Sequence, residues 1–79
     1  MRLDKFLKVS RLIKRRTVAK EMVDAGRVRV NGKPAKPGLE VNSGDILEIG
    51  YGDSATKAEI LEIRETVKAE DAKNLYRII

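Results

Sequence analysis

The apolar positions of the chain follow a helical period first and a strand period afterwards. Leu3, Phe6, Leu7, Ser10 and Ile13 fall on one stripe, with Lys5, Lys8, Arg11 and Leu12 on or near the other side. That spacing predicts a first helix over residues 2–13. Val18, Ala19, Met22 and Val23 then recur as the apolar face of a second helix beginning near Arg15 to Thr17. Either Arg15 or Thr17 takes its N-cap, and arginine is not a capping residue. Only a few residues around Lys14 separate the two helices, so they are expected to pack as an antiparallel or steeply crossed pair. Gly26 supplies the positive φ that a helix end favours. The period then drops to two: Val28 and Val30 alternate with Arg27 and Arg29, a strand over Arg27 to Val30. Asn31-Gly32 is the favoured pair for a tight hairpin turn.

Lys33-Pro34-Ala35-Lys36-Pro37-Gly38 reads as a stiff basic loop, because each proline fixes its own φ and restrains the residue before it. Leu39-Glu40-Val41 leads to a turn at Asn42-Ser43-Gly44-Asp45. A strand over Ile46 to Ile49 follows, ended by Gly50-Tyr51-Gly52-Asp53. A further strand is expected across Ala58 to Arg64. In the tail, Ala72, Leu75, Tyr76 and Ile79 match a short helix within Ala69 to Ile79. The outline is α-α-β-β-β-α, an α+β fold with one small sheet.

Composition narrows this picture. Seventy-nine residues allow one small domain. The chain has no cysteine and no histidine, so disulfides and thiolate or imidazole metal sites are excluded. Its longest apolar runs are far too short for a signal peptide or a membrane span, so a cytoplasmic protein without a membrane partner is expected.

The net charge is +5, unevenly spread. Residues 1–38 hold twelve Lys/Arg and three Asp/Glu, a balance of +9; residues 39–79 hold five and nine, a balance of −4. The basic half favours a polyanion, while the acidic half faces water or a basic protein.

Arg15 and Arg16 stand at the start of the second helix, where backbone N–H groups favour an anion. Arg2 lies near the positive end of the first helix, an unfavourable place unless an anion binds there. Asp4 and Lys8, four apart, suit an exposed pair worth a few tenths of a kcal/mol. Asp4, a carboxylate within a basic surface, either orients an Arg or Lys or serves as an N-terminal helix acid, and is read slightly in favour of the structural role. Phe6 and Tyr76 fall on apolar stripes and only Tyr51 lies in a loop, too few exposed rings for a base-stacking platform. Folded RNA, read by shape and phosphate, fits better. Catalysis is not expected. Ser10, Ser43 and Ser54 have no evident base, and there is no glycine-rich phosphate cradle. Glu59, Glu62 and Glu65 read as a solvated face, and no cofactor is expected.

Arg2-Leu3-Asp4-Lys5-Phe6-Leu7, Arg11, Arg16-Thr17-Val18-Ala19 and Gly26-Arg27-Val28-Arg29-Val30-Asn31-Gly32 together resemble the S4 domain. That is the RNA-binding module named after ribosomal small-subunit protein four. Gly44-Asp45 before a hydrophobic strand resembles its ending. The resemblance covers roughly residues 2–50 and implies two N-terminal helices on a small, mainly antiparallel sheet. On this reading residues 1–50 form the RNA-binding domain, and residues 51–79 are an extension, a strand plus a short helix, packed on the same core.

The opening RLDK, and Ala72, Leu75 and Tyr76 after the sheet, are similar to two free-standing bacterial families. One is that of the fifteen-kilodalton heat-shock protein; the other is the RqcP (YabO) family, which the short basic-poor tail resembles more. This resemblance implies binding to rRNA of an obstructed large ribosomal subunit that still holds peptidyl-tRNA. It also implies assistance to an RqcH-type tailing factor that extends the stalled chain, with a monomer as the expected state. Relatives often carry Ser or Thr where Arg15 stands, so the capping hydroxyl is absent here and a phosphate contact is gained.

Arg16 is the first choice for an RNA contact, because its planar fork suits phosphate or base and it matches the family's basic position. The alternative is a surface arginine paired with Asp4 or Asp24. Arg2 ranks second. Lys5, Arg11, Lys14, Arg15 and Lys20 form a rim, and Arg27, Arg29, Lys33 and Lys36 could track an RNA backbone from the sheet and the proline loop. Other readings are a general structured-RNA binder, a heat-shock-type recycling factor, a helix-turn-helix DNA regulator, and a protein-interaction module working through Glu59 to Asp71. Against the DNA reading, Lys14-Arg15-Arg16 has no glycine turn.

Overall fold

The computed structural model describes residues 1–50 and 52–79. Helix α1 spans Leu3–Val9 and α2 spans Arg16–Asp24. Strands β1 (Val28–Val30), β2 (Lys33–Pro34), β3 (Ile46–Ile49), β4 (Thr56–Ile60) and β5 (Tyr76–Ile78) follow. Among the described residues they form one antiparallel sheet in the order β2-β1-β3-β4-β5. Short 3-10 helices lie at Gly52–Ser54 and Ala69–Leu75.

The predicted stripe of α1 is buried throughout: Leu3, Phe6 and Leu7 are fully enclosed, with Ser10 and Ile13 nearly so. The helix stops sooner than its stripe. Ser10 Oγ turns back to Leu7 O at 3.3 Å, and Arg11 takes a left-handed backbone with φ 61. The Ile13 N–H then reaches Leu7 O at 3.1 Å, so Ile13 enters the core from a loop rather than from a fourth turn. Residue type gives no notice of this stop, since arginine rarely adopts positive φ.

The start of α1 has no side-chain cap. Its first donors are taken by the segment that closes over it: Leu3 N–H bonds Leu39 O at 2.8 Å and Asp4 N–H bonds Pro37 O at 3.2 Å. Helix termini leave such groups without intrahelical partners, and backbone carbonyls meet the need here. These two donors are therefore committed to the chain itself rather than open to a bound anion beside Arg2.

Helix α2 begins with Arg15 as N-cap, without a side-chain bond. Its end follows the sequence reading. Gly26 has φ +76, the Gly26 N–H reaches Val23 O at 3.0 Å, and the Arg27 N–H reaches Met22 O at 3.0 Å. This is the Schellman arrangement. Ala19 and Val23 are buried and Met22 is partly so, but Val18 is 39% exposed and leaves the predicted apolar face.

Asn31 (φ 53) and Gly32 (φ 81) turn β1 into β2, pairing Val30 with Lys33 and Arg29 with Pro34. Two positive φ angles are what a type I′ hairpin requires. The expected basic loop therefore begins as a strand; proline is tolerated in it because β2 is an edge. Asn31 also fastens the hairpin, since its Oδ1 accepts the Ile46 N–H at 2.9 Å and its Nδ2 donates to Asp45 Oδ1 at 3.1 Å.

Strand β4 lies earlier than the expected Ala58 to Arg64, and residues 61–68 form an irregular connection. The expected tail helix is a 3-10 helix followed by β5, which pairs Ala58 with Ile78 and Ile60 with Tyr76. Pairing with β4 overrides the helical spacing of the tail. The expected loop position of Tyr51 lies outside the described residues.

Leu3, Phe6 and Leu7 share one core with Ala19, Val23, Val28, Leu47, Ile60 and Leu75. Burying each of the larger side chains is worth about 1.5–3 kcal/mol. No helix among the described residues is long and apolar enough to cross a membrane.

Candidate nucleic-acid interface

The core that seats α1 against α2 also brings their first residues together. Arg2, Asp4, Arg16, Thr17 and Lys20 line one open concavity. Arg2 precedes α1 and Arg16 opens α2, while Lys20 lies four residues further along the same helix and thus on the same side.

Asp4 is the unexpected member. It is 5% exposed, an unusual setting for a carboxylate. It does not pair with Lys8. Its Oδ1 accepts the Lys5 N–H at 2.8 Å and Arg16 Nη2 at 3.3 Å, while Oδ2 lies 3.3 Å from Arg16 Nε. Arg16 thus forks onto one buried acid, the pairing weighed above as its alternative. Its side chain is nonetheless 48% exposed. The fork uses Nε and one Nη2 hydrogen, which leaves the Nη1 hydrogens for another acceptor.

Arg2 is held differently. Residue 2 bridges to Glu40 along the backbone, and its guanidinium lies against Gly38, where a β-carbon would be 3.1 Å from Nη2. Glu40 itself pairs with the Met1 ammonium group at 2.9 Å.

The remaining sequence candidates do not all join this concavity. Lys5 is half-buried and forms an ion pair with Glu65, whose carboxyl is held below its ordinary value by the Lys5 hydrogen bond and charge. Arg11, Lys14 and Arg15 are exposed in the connection between the helices. Arg27 lines a second concavity with Val18, Glu21, Met22 and Ala25. Arg29 is exposed on the outer sheet face, directly opposite Glu48, which is in turn opposite Lys57. Lys33 lies in a third concavity that also contains Glu40 and Asp45, and Lys36 is exposed in the following loop.

Sequence reasoning offered Asp4 as one partner of Arg16, but missed the burial of that carboxylate and the approach of the Arg2 guanidinium to Gly38. One signal was present: Asp4 is the lone acid in the first twenty residues. Among the described residues, no group of three acidic side chains gathers in a metal-holding cluster.

Residues 1–47 match the family model of the S4 domain. Over all 79 residues the chain is 57% identical to the RQC P-site tRNA stabilizing factor of Listeria monocytogenes, spanning 86% of that protein. It is 51% identical over the same length to the protein of that name from Bacillus subtilis, spanning 92% of it. Among solved structures, the trimeric structure of Heat Shock Protein 15 from Vibrio cholerae superposes with a TM-score of 0.90 at 35% identity. That match covers the whole of this chain and 81% of the other.

Proposed function

This chain belongs to the S4-domain family and, within it, to the family of the RQC P-site tRNA stabilizing factors, and from that premise we propose a specific role. It binds rRNA and peptidyl-tRNA on an obstructed large ribosomal subunit and steadies the tRNA in the P site while an RqcH-type partner extends the stalled chain. The role is one of binding, with no catalytic step assigned to the chain.

One observation carries this reading. Arg2, Arg16 and Lys20 converge on a single open concavity that contains one carboxylate, already engaged by Arg16. Two positive charges are left over there, and phosphate is the complementary ligand. Arg11, Lys14 and Arg15 are the proposed outer contacts, Lys5 a contact shared with Glu65, and Arg27, Arg29, Lys33 and Lys36 the weaker ones. Residues 1–50 are the proposed RNA-contacting unit, with 51–79 completing its core, and the working state is a monomer.

Co-sedimentation with small subunits, large subunits and large subunits bearing peptidyl-tRNA, across a salt series, tests this. Preference for the peptidyl-tRNA-bearing subunit supports the role. Each phosphate contact steepens the log-log salt slope by roughly 0.7–0.9. Equal binding to free and tRNA-bearing large subunits favours a heat-shock-type recycling role, to which the likeness to the Vibrio cholerae protein gives weight. Tighter binding to duplex DNA than to structured RNA overturns the RNA reading.

A further inference from the structure

Arginine side chains at a surface are costly to immobilise, because each carries several rotatable bonds whose freedom is lost on binding. An interface gains when its arginines are held in place beforehand. Arg16 of the concavity is held by an ion pair with Asp4, and the Arg2 guanidinium lies close against Gly38.

Asp4 is fixed on its own account. It lies in the first turn of α1, its N–H is bonded to Pro37 O, and its Oδ1 accepts the Lys5 N–H. Both of its oxygens then meet the Arg16 guanidinium, Oδ1 at Nη2 and Oδ2 at Nε, each at 3.3 Å. Contact at two points fixes the plane of the guanidinium as well as its position. For Arg2 the holding surface is a missing side chain. A β-carbon at Gly38 would come within 3.1 Å of Nη2, 3.5 Å of Nε and 3.6 Å of Cζ, so any side chain there would press on the end of Arg2 and shift it by a few tenths of an ångström. Pro37 and Leu39, on either side of Gly38, are tied to α1 through the Asp4 and Leu3 N–H groups. The seat and the helix therefore move as one body.

We propose that Asp4 and Gly38 are positioning residues: Asp4 aligns Arg16 and Gly38 seats Arg2, so that both guanidinium groups stand ready around one groove before RNA arrives. This rests on the RNA-binding reading above for its consequence, but the ordering of the two side chains exists in the free protein. A carboxylate in an RNA-facing groove is then an aid to binding, although it lowers the local positive charge.

The test uses purified bacterial large ribosomal subunits bearing peptidyl-tRNA as the probe. Asp4→Asn raises the net charge by one while keeping an oxygen for the Lys5 N–H; charge alone predicts tighter binding. Positioning predicts weaker binding, by about three- to tenfold, the order of a weakened charge-assisted hydrogen bond. Gly38→Ala leaves the charge unchanged, its methyl meeting only the far end of Arg2. It is expected to weaken binding by a similar factor and make the salt slope shallower, by up to the roughly 0.7–0.9 of one phosphate contact. Asp4→Asn should cost nothing further in an Arg16→Ala background, nor Gly38→Ala in an Arg2→Ala background, an epistasis that a general loss of stability would not produce.

Nitrogen relaxation of the arginine Nε–Hε groups in the free protein gives a second readout. Arg16 should be more ordered than Arg15 in the wild type and lose that order in Asp4→Asn; Arg2 should lose it in Gly38→Ala. Wild-type Arg2 and Arg16 as mobile as Arg15 would overturn the proposal, as would Asp4→Asn binding at least as tightly as wild type. Ordered arginines in a protein that ignores ribosomes would instead remove the RNA reading and leave the positioning intact.

Discussion

Arg16 and Arg29 are both exposed arginines on regular elements, yet the two surfaces that hold them differ in kind. On the outer face of the sheet each cation has a carboxylate neighbour set by register. Arg29 is opposite Glu48, Glu48 is opposite Lys57, and Arg77 is opposite Glu59, with which it forms an ion pair. Cross-strand pairing of this sort is worth a fraction of a kcal/mol and leaves little net field. In the groove between the helices, three cations meet a single carboxylate. The comparison teaches that a count of basic residues does not locate an interface. What locates it is whether cations outnumber the acids that the fold places among them, as they do in the groove, where Asp4 engages Arg16 alone.

The strongest way to break this contrast is to remove the groove arginines together. Arg2→Ala/Arg16→Ala is expected to weaken binding to the peptidyl-tRNA-bearing large subunit by roughly a hundredfold, taking at least tenfold for each charge-assisted contact. Arg29→Ala should change it by less than about twofold, as expected for an exposed cation opposite Glu48 on the outer sheet face. Equal losses in sedimentation assays would erase the distinction. A second, smaller effect belongs to Lys20. Lys20→Ala should weaken binding by about three- to tenfold and reduce the salt slope by roughly 0.7–0.9. If the slope holds while affinity falls, Lys20 supports the helix rather than touching phosphate.

Glu48→Gln sharpens the comparison from the other side, since it unmasks Arg29 and Lys57. Fluorescence titration should show tighter binding by no more than about twofold, because the freed charge lies on the outer sheet face and exposed charges are screened over roughly 8–10 Å. A large gain would place RNA on the sheet.

The smallest effect concerns Lys5, a sequence candidate that pairs with an acid from the other half of the chain. Lys5 holds the folded Glu65 carboxyl below its ordinary value of 4.5. The pair therefore stabilises the fold above that value, and its contribution is lost as the pH falls through the lowered folded one. Glu65→Gln should leave the melting temperature slightly lower than wild type near neutral pH and converge with it in acid. Curves that stay parallel down to about pH 3 would rule the linkage out, since Glu65 would then have an ordinary value.

The parts of this fold that were legible in the sequence are those where residue type and backbone demand coincide. Gly26 and Asn31-Gly32 could be placed because positive φ selects glycine and asparagine. Leu3, Phe6 and Leu7 could be placed because a buried helical face needs that spacing. Arg11 could not, as its left-handed conformation is imposed by Ile13 reaching the core, not by arginine. Tyr76 shared a helical pattern with Ala72, Leu75 and Ile79 and became part of a strand because β4 offered an edge. The same division holds for the groove. The sequence ranked Arg16 and Arg2 first and set Lys20 in a wider rim with Lys5, Arg11, Lys14 and Arg15, but grouping Lys20 with the two arginines required the packing of the helices. The role of Asp4 required knowing that two helix starts twelve residues apart meet.

Strand order also bears on how this protein comes into being. β3 lies in the middle of the sheet, between β1 before it and β4 after it. Ile60 and Leu75 then fill the core that Leu3 and Phe6 began. A growing chain that has emerged only as far as Gly50 carries the whole basic groove sequence but lacks the strand that covers β3 and the side chains that close the interior. β4 and β5 are thus expected to complete the core only after the residues of the groove have been made. A nascent copy is basic from residue 2 onward, yet its groove residues gain their full core only once Ile60 and Leu75 have followed.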